Sequence, residues 1–380
     1  MSKKICIFSA QYLPSTYGVE KYTFNLAKKL SGKNVEVTIV TSDIYGADKC
    51  EKSGNITVYR LPSYGFMNNR LPIIRYNQQF RRMMKEIALE DYDLCITNTR
   101  FYTLSLVGTI FGRKKAKRNI LIEHGTSHIE MSNKLMRLCG ELYEHILTLL
   151  VKWNVKEFYG VSKDCNQWLE HFGIVANGVL HNAINIDEID SLCSSESKKI
   201  LDVSENNILI SFTGRLMEEK GVLQLVKAFQ MIGRKYSNVR LAIAGDGPLM
   251  MQLKEMCDEK VFLLGRIPFE DVVGLLQQSE IFCFPSVYAE GMPTSILEAA
   301  ACKNSIISTQ CGGAAEIIPD DMHGILLKDN SEEQLVIALE KLIKDKNYRK
   351  STAQNVRKHI EKHFVWDRIA DKVSKEFLGE

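Results

Sequence analysis

Short β-branched and aromatic runs alternate with longer helical patterns from one end of this chain to the other. In the first half the strand candidates are Lys4–Ser9, Val35–Thr41, Thr57–Leu61, Leu94–Thr97, Asn119–Glu123 and Phe158–Val161. Helical patterns between them begin near Val19, Ile73, Tyr102, Lys134 and Lys163. In the second half the strand candidates are Ile208–Thr213, Arg240–Ala244, Val261–Leu264, Ile281–Pro285, Ser305–Thr309 and Gly324–Leu327. There the helices begin near Gly221, Leu249, Phe269, Pro293 and Ser331. Alternation on this scale predicts parallel sheets covered by helices on both faces, twice over. Ligands of such folds bind at the carboxyl ends of the strands.

A chain of 380 residues is too long for one compact core, so two domains are expected. Asp187-Glu-Ile-Asp leads into the polar stretch Ser194–Lys199, which places the boundary near 184–205. A last helix over Val365–Phe377 carries Trp366, Ile369, Val373 and Phe377. Net charge is +3, but residues 1–190 carry +6 and the remainder −3, so the N-terminal half is the basic one. The N-terminus lacks the pattern of a signal peptide, and no stretch approaches the roughly 20 apolar residues of a membrane span. The ten cysteines are scattered without C-x-x-C pairs. Cys6, Cys95 and Cys283 lie in apolar runs and read as buried free thiols of a reducing cytoplasm.

The densest chemistry lies in Tyr288-Ala-Glu-Gly-Met-Pro-Thr-Ser-Ile-Leu-Glu298, with Gly-Arg-Leu-Met-Glu-Glu-Lys-Gly at 214–221 upstream. Glu290 stands before a helix and Glu298 inside it. Pro293 suits the first helical position, where its missing N–H is no loss. The amides of Thr294 and Ser295 then make an electropositive helix start. Arg215 and Lys220 supply two cations for a diphosphate. Together these groups suit a nucleotide-diphosphate-sugar.

Other motifs carry two readings each. The G-x-G-x-x-G of a dinucleotide fold is absent after the first strand, which argues against an NAD enzyme. Gly18 stands there instead, as an ordinary turn glycine or as bare backbone that a phosphate can approach. Glu123-His-Gly-Thr-Ser-His128 follows a strand, which puts His124 at the ligand end of the sheet. His124 and His128 have helical zinc spacing, but Gly125 and the missing glutamate argue against a metal. Asp91-Tyr-Asp93 resembles a D-x-D metal motif but precedes its strand, so a solvated loop is expected. Gly245-Asp-Gly-Pro reads as a turn before a helix. The backbone of Gly265-Arg-Ile-Pro268 can meet a nucleobase edge. Arg70, Arg75, Arg81, Arg82 and Lys85 interleave with Phe66, Leu71, Ile74, Phe80, Met83 and Met84, and Arg113–Arg118 adds a second basic cluster. These fit an anionic membrane surface or a solvated helix face. No nucleic-acid recognition motif accompanies the charge.

Over nearly its whole length the chain resembles the family-four retaining glycosyltransferases, of bacterial surface-polysaccharide type. The resemblance rests on E-G-M-P-T-S-I-L-E at 290–298, G-R-L-M-E-E-K-G at 214–221 and A-G-D-G-P at 244–248. It implies an α/β fold of two Rossmann-like doubly wound parallel-sheet domains facing across a cleft (GT-B). Residues 1–190 would form the acceptor-side domain and 200–362 the donor domain, with 363–380 packing back towards the first. By the resemblance Arg215 and Lys220 grip the donor diphosphate, Glu298 the ribose and Glu290 the donor sugar. Backbone near Gly18, Gly291, Met292, Thr294 and Ser295 meets sugar and phosphate oxygens, Ile267 the base, and His124 the reacting sugar. Two departures stand out: Tyr17-Gly18 replaces the family's glycine pair, and Asn182-Ala-Ile-Asn185 replaces N-G-[IV]-D.

The resulting expectation is a cytoplasmic enzyme, peripheral on the inner face of the membrane. It would move a sugar, with retention, from a nucleotide-diphosphate-sugar to a glycan or lipid-linked acceptor. No cofactor, no metal and no nucleic acid are expected. The rivals are an epimerase or phosphorylase on a similar fold, and a non-catalytic partner subunit.

Overall fold

A computed structural model describes residues 2–15, 18–67, 69–129, 133–194, 200–204 and 206–379. The chain divides into two compact units, Met1–Asn182 with Trp366–Glu380, and Ala183–Val365. Tyr17 and the polar stretch from Ser195 to Lys199 lie outside the described residues.

In the first unit the strands are β1 (Lys4–Ser9), β2 (Glu36–Asp43), β3 (Cys50–Ser53), β4 (Ile56–Phe66), β5 (Leu71–Ile74), β6 (Tyr92–Asn98), β7 (Ala116–Glu123), β8 (Glu157–Gly160) and β9 (Gly178–Val179). Among the described residues they form a nine-stranded sheet of order β3-β4-β2-β1-β6-β7-β8-β9, with β5 paired to β4. The pairs from β4 across to β9 are parallel. The order reverses at β1, between β2 and β6. The covering helices are α1 (Gly18–Ser31), α2 (Gln78–Ile87), α3 (Thr103–Lys115), α4 (Lys134–Lys152) and α5 (Lys163–Glu170). Strand β1 is a continuous apolar run and is buried from Ile5 onward, as a central parallel strand requires.

The helix expected from Ile73 starts instead at Gln78. Pro72 and the β-branched Ile73-Ile74 favour extended backbone, and β5 pairs antiparallel with β4. Asn77 then caps α2 by accepting from the Phe80 N–H at 2.9 Å. Strand β3 is exposed along its length and has no apolar alternation to announce it.

The helix Trp366–Val373 and a π-helical turn over Ser374–Leu378 also belong to this unit. Trp366 stands edge-on to Tyr22, ring centroids 5.1 Å apart, and Phe377 packs on Tyr159. Lys29 and Lys33 of α1 pair with Asp367 and Asp371. Burial of Trp366, Ile369, Val373 and Phe377 follows from their helical spacing.

In the second unit the strands are β10 (Ile208–Thr213), β11 (Val239–Ala244), β12 (Val261–Gly265), β13 (Ile281–Phe284), β14 (Ser305–Thr309) and β15 (Ile325–Leu327). Their order is β12-β11-β10-β13-β14-β15, all parallel, with the reversal between β10 and β13. The helices are α6 (Ile186–Ser194), α7 (Val222–Lys235), α8 (Met250–Met256), α9 (Phe269–Gln278), α10 (Thr294–Ala301), α11 (Ala314–Ile317), α12 (Glu332–Lys344) and α13 (Lys346–His363). Helix α6 occupies part of the segment that its polar composition marked as a linker. Ile189 is buried there, and Arg357 of α13 pairs with Asp190 at 2.8 Å. Cys6, Cys95 and Cys283 are buried free thiols in β1, β6 and β13.

Candidate active site

In an open parallel sheet the crevice forms where neighbouring strands send their connections to opposite sides. In the second unit that point lies beyond the carboxyl ends of β10 and β13. The loop after β10 carries Arg215 and Lys220, and the loop after β13 carries Glu290 and leads into α10.

The two loops are fastened together. Gly221 has a left-handed backbone, φ 70°, and an added Cβ would lie 2.1 Å from the Pro285 carbonyl oxygen. Only glycine combines that conformation with that approach. The Val287 N–H donates to the Glu219 carbonyl at 2.8 Å. The Lys220 ammonium hydrogen-bonds the Glu290 carboxylate, with 12% and 18% of the two side chains exposed. The same ammonium lies 4.5 Å from the centre of the Tyr288 ring. Arg215 is exposed on the same loop, and its neighbour Leu216 is fully buried.

Pro293 caps α10 in an extended conformation, and Thr294 is the first helical residue, one later than expected. The Pro293 carbonyl accepts from Ile296 at 3.2 Å, as a cap residue's carbonyl does at the first turn. Ile296, Leu297 and Ala299–Ala301 fill the core, which leaves Thr294, Ser295 and Glu298 half-buried. These three share one helix face by their i,i+3 and i,i+4 spacing. The Met292 side chain is buried, so its backbone is what a ligand can meet. The Gly313 N–H donates to the Gly291 carbonyl at 3.0 Å and supports the loop from beneath.

Gly245-Asp-Gly-Pro is a packing turn. A Cβ at Gly245 would lie 1.8 Å from the Gly214 carbonyl oxygen, and the Leu216 N–H donates to the Asp246 carbonyl at 3.0 Å. Ile267, after β12, is half-buried against the cluster of Leu201, Leu209, Ala242, Ala244 and Leu275. A cavity of about 280 Å³ opens beside Tyr288 and is also lined by Ser286, Thr309, Cys311 and Asp329.

In the first unit the switch point lies between β1 and β6. Thr99, just past β6, holds a left-handed backbone with φ 64°, a strained choice for a β-branched residue. Asn98 donates Nδ2 to Thr23 Oγ1 at 2.8 Å, and its Oδ1 faces His124 Nε2 at 3.1 Å. His124 follows β7 and lies edge-on to Tyr22 at 4.8 Å. Desolvation drives its pKa down to about 3, so the imidazole is neutral. Gly18 opens α1, and a Cβ there would meet nothing within 4 Å.

Beneath His124 lies a buried ionic network that the motifs do not reveal. Arg100 reaches Glu123 and Glu144, each at 2.8 Å, and all three side chains are fully buried. The other Glu123 oxygen accepts the backbone N–H of His124 at 3.0 Å and of Gly125 at 3.1 Å. Glu144 accepts the Ile129 N–H at 2.7 Å. The one signal for it in the sequence is a glutamate inside the apolar pattern of α4.

Asp91 precedes β6, exposed and paired with Lys115 at 3.0 Å, but Asp93 lies within the strand rather than in a solvated loop, paired with Lys117 at 2.7 Å and accepting the Lys4 backbone N–H at 3.0 Å. A cavity of about 190 Å³ at that same end is lined by Lys4, Glu36, Tyr59 and Glu90, at the pole of the sheet away from His124. The Phe66–Lys85 pattern turns most of its apolar residues to the core, while Phe66 is 49% exposed. Leu71, Ile74 and Met83 are buried, and Phe80 and Met84 pack against the core of the first unit. What α2 shows to solvent is Gln78, Arg81, Arg82, Lys85 and Glu86. Exposed apolar surface also lies on α4: Leu135, Leu138, Leu142, Ile146 and Leu149, with Trp153 at its end.

Two Rossmann-like units of this kind make up the GT-B architecture. Residues 16–188 match the Glycosyltransferase Family 4 model and residues 194–359 the Glycosyl transferases group 1 model. The chain is thus a family-four-like glycosyltransferase. It is 28% identical over 385 residues to an uncharacterized glycosyltransferase of Methanocaldococcus jannaschii, MJ1069, spanning 98% of both chains. It is 24% identical to the phosphatidylinositol N-acetylglucosaminyltransferase GPI3 subunit of Saccharomyces cerevisiae, over 98% of this chain and 82% of that one. Among solved structures, Anabaena Alr3699/HepE in complex with UDP matches with a TM-score of 0.72 at 17% identity, covering 100% of each chain.

Proposed function

We propose that this protein transfers a sugar, a hexose unit, from a nucleotide-diphosphate-sugar to an acceptor hydroxyl with retention at the anomeric carbon. The observation that carries the reading is the meeting of Lys220 and Glu290 at the switch point of the second unit, next to the start of α10. A leaving diphosphate needs positive charge, and Arg215, Lys220 and the Thr294 and Ser295 amides supply it. These groups do the work without a divalent ion. Glu298 suits the ribose hydroxyls, and backbone near Gly291 and Met292 the phosphate and sugar oxygens. Glu290 takes the donor sugar once the diphosphate claims Lys220. Gly18 offers open backbone, Ile267 an apolar edge for the base, and His124 a neutral imidazole for a sugar hydroxyl. Same-face attack guided by the leaving phosphate accounts for retention. The UDP of the Anabaena neighbour supports a uridine donor.

A lipid-linked acceptor in surface-polysaccharide synthesis, used at the cytoplasmic face of the membrane, is the acceptor reading. It is supported by the phosphatidylinositol in the yeast relative's name and by the exposed apolar face of α4. Lys134, Arg137 and Lys156 lie on and beside that helix and suit anionic headgroups. No helix among the described residues is long and apolar enough to cross a membrane.

The test is a thermal-shift screen of nucleotide sugars, followed by proton NMR of the anomeric product. Stabilisation by a nucleoside diphosphate and a product of unchanged anomeric configuration are expected. Absence of any shift with nucleoside diphosphates would overturn the donor assignment.

A further inference from the structure

Three histidines of the first unit converge at a place the transfer chemistry does not use. His128 follows β7, His145 lies on α4 and His171 caps the end of α5. Each offers a ring nitrogen, and the three nitrogens lie within 4.8 Å of one another. We propose that His128, His145 and His171 form a binding site for a divalent transition-metal ion, zinc by preference.

The geometry of the His128–His171 edge carries the argument. Their Nε2 atoms stand 3.3 Å apart. Tetrahedral zinc holds imidazole nitrogens at about 2.0–2.1 Å, which sets its ligand–ligand edges at about 3.3 Å. His128 Nδ1 lies 3.1 Å from Glu144 Oε2. A carboxylate accepts there, so the neutral ring carries its proton on Nδ1 and turns a bare Nε2 lone pair towards His171. A carboxylate behind a ligating histidine is the arrangement that fixes the ring and raises its basicity in metal sites. Glu144 is itself fixed by Arg100 and the Ile129 N–H. The His171 ring is stacked on Trp168, centroids 4.9 Å apart and planes 5° from parallel, so its orientation is also set. His145 is exposed on α4, with a ring nitrogen within 4.8 Å of the other two to serve as the third ligand. Imidazole ligands suit zinc, copper and nickel over magnesium or calcium. The fourth corner falls to water.

Such an ion ties the segment from His124 to Ile129 to α4 and α5. Its place is in holding that loop, apart from the departure of the diphosphate.

The experiment uses the full chain without an affinity tag, stripped with chelator and titrated with zinc chloride by calorimetry. Cobalt(II) substitution gives a second readout, because tetrahedral cobalt absorbs strongly in the visible. One equivalent of zinc at micromolar or tighter affinity is expected, with a rise in melting temperature. His145→Ala and His171→Ala replace exposed side chains, so the fold should survive. Each should weaken zinc at least tenfold and abolish the cobalt band, while His323→Ala in the second unit changes neither. Lack of stoichiometric zinc binding by the wild-type chain overturns the site. So does zinc affinity unchanged in both variants, which would place the ion elsewhere on the chain.

Discussion

The Lys220 ammonium is bound to the Glu290 carboxylate between the loops that follow β10 and β13. On the proposed reading, the cation that would meet the diphosphate is already neutralised, and donor binding would exchange one partner for another. Glu290→Gln removes the carboxylate that holds Lys220. UDP affinity should hold or rise while sugar transfer slows, because the lost contact acts on the transferring sugar. Calorimetry and turnover measured together decide it, and weaker UDP binding with unchanged turnover contradicts it.

Lys220→Ala and Arg215→Ala act in the other direction. A charge-assisted hydrogen bond contributes about 1.5–3 kcal/mol, so each variant should bind nucleoside diphosphate about ten- to hundred-fold more weakly. Circular dichroism should show the fold intact. Wild-type affinity in both variants removes the diphosphate from this place.

Gly221→Ala tests the fastening of the two loops. Its methyl group would strike the Pro285 carbonyl from a left-handed backbone. A loss of about 2 kcal/mol is expected, read as a fall of a few degrees in melting temperature together with weakened UDP binding. A variant as stable and as tight-binding as wild type contradicts the contact.

His124 should remain neutral from pH 5 to 8, since desolvation holds its pKa at about 3 against an ordinary 6.5. The sign follows from linkage. Below about pH 6.5 the unfolded chain takes up a proton that the folded chain refuses, so this group withdraws stability as pH falls from 6.5 towards 3. Above 6.5 its contribution is flat. Side-chain nitrogen NMR assigned through His124→Gln is the check, and a midpoint near 6.5 contradicts the burial argument.

Vesicle binding should depend on α4. Leu142→Ser with Ile146→Ser should weaken sedimentation with anionic vesicles at low salt. Arg81→Ser with Arg82→Ser should change it less, because Phe80 and Met84 of α2 face the core. Equal loss from both pairs, or no binding by the wild type, removes the lipid surface from the acceptor reading.

The alternation of strands and helices was legible because the period of the apolar pattern is a local property. Lys4–Ser9, Ile208–Thr213 and Ser305–Thr309 fall where that pattern puts them. The placing of Arg215, Lys220 and Glu290 in the loops that follow β10 and β13, and of Glu298 in the helix beyond, was legible too, since these residues lie in two short motifs. Local pattern misplaced the helix at Ile73 and passed over the exposed β3. In both, antiparallel pairing with the adjacent β4 decides the conformation, and a periodicity of apolar residues does not report such pairing. It also left open which way Phe80 and Met84 face, because a cation-studded helix looks the same whether its apolar side meets a core or a bilayer. Arg100, Glu123 and Glu144 come together from the loop after β6, from β7 and from α4. His128, His145 and His171 come from the loop after β7, from α4 and from the end of α5. No motif joins residues so far apart. Packing helices on a sheet decides which of them share a site, and only the tertiary structure contains it.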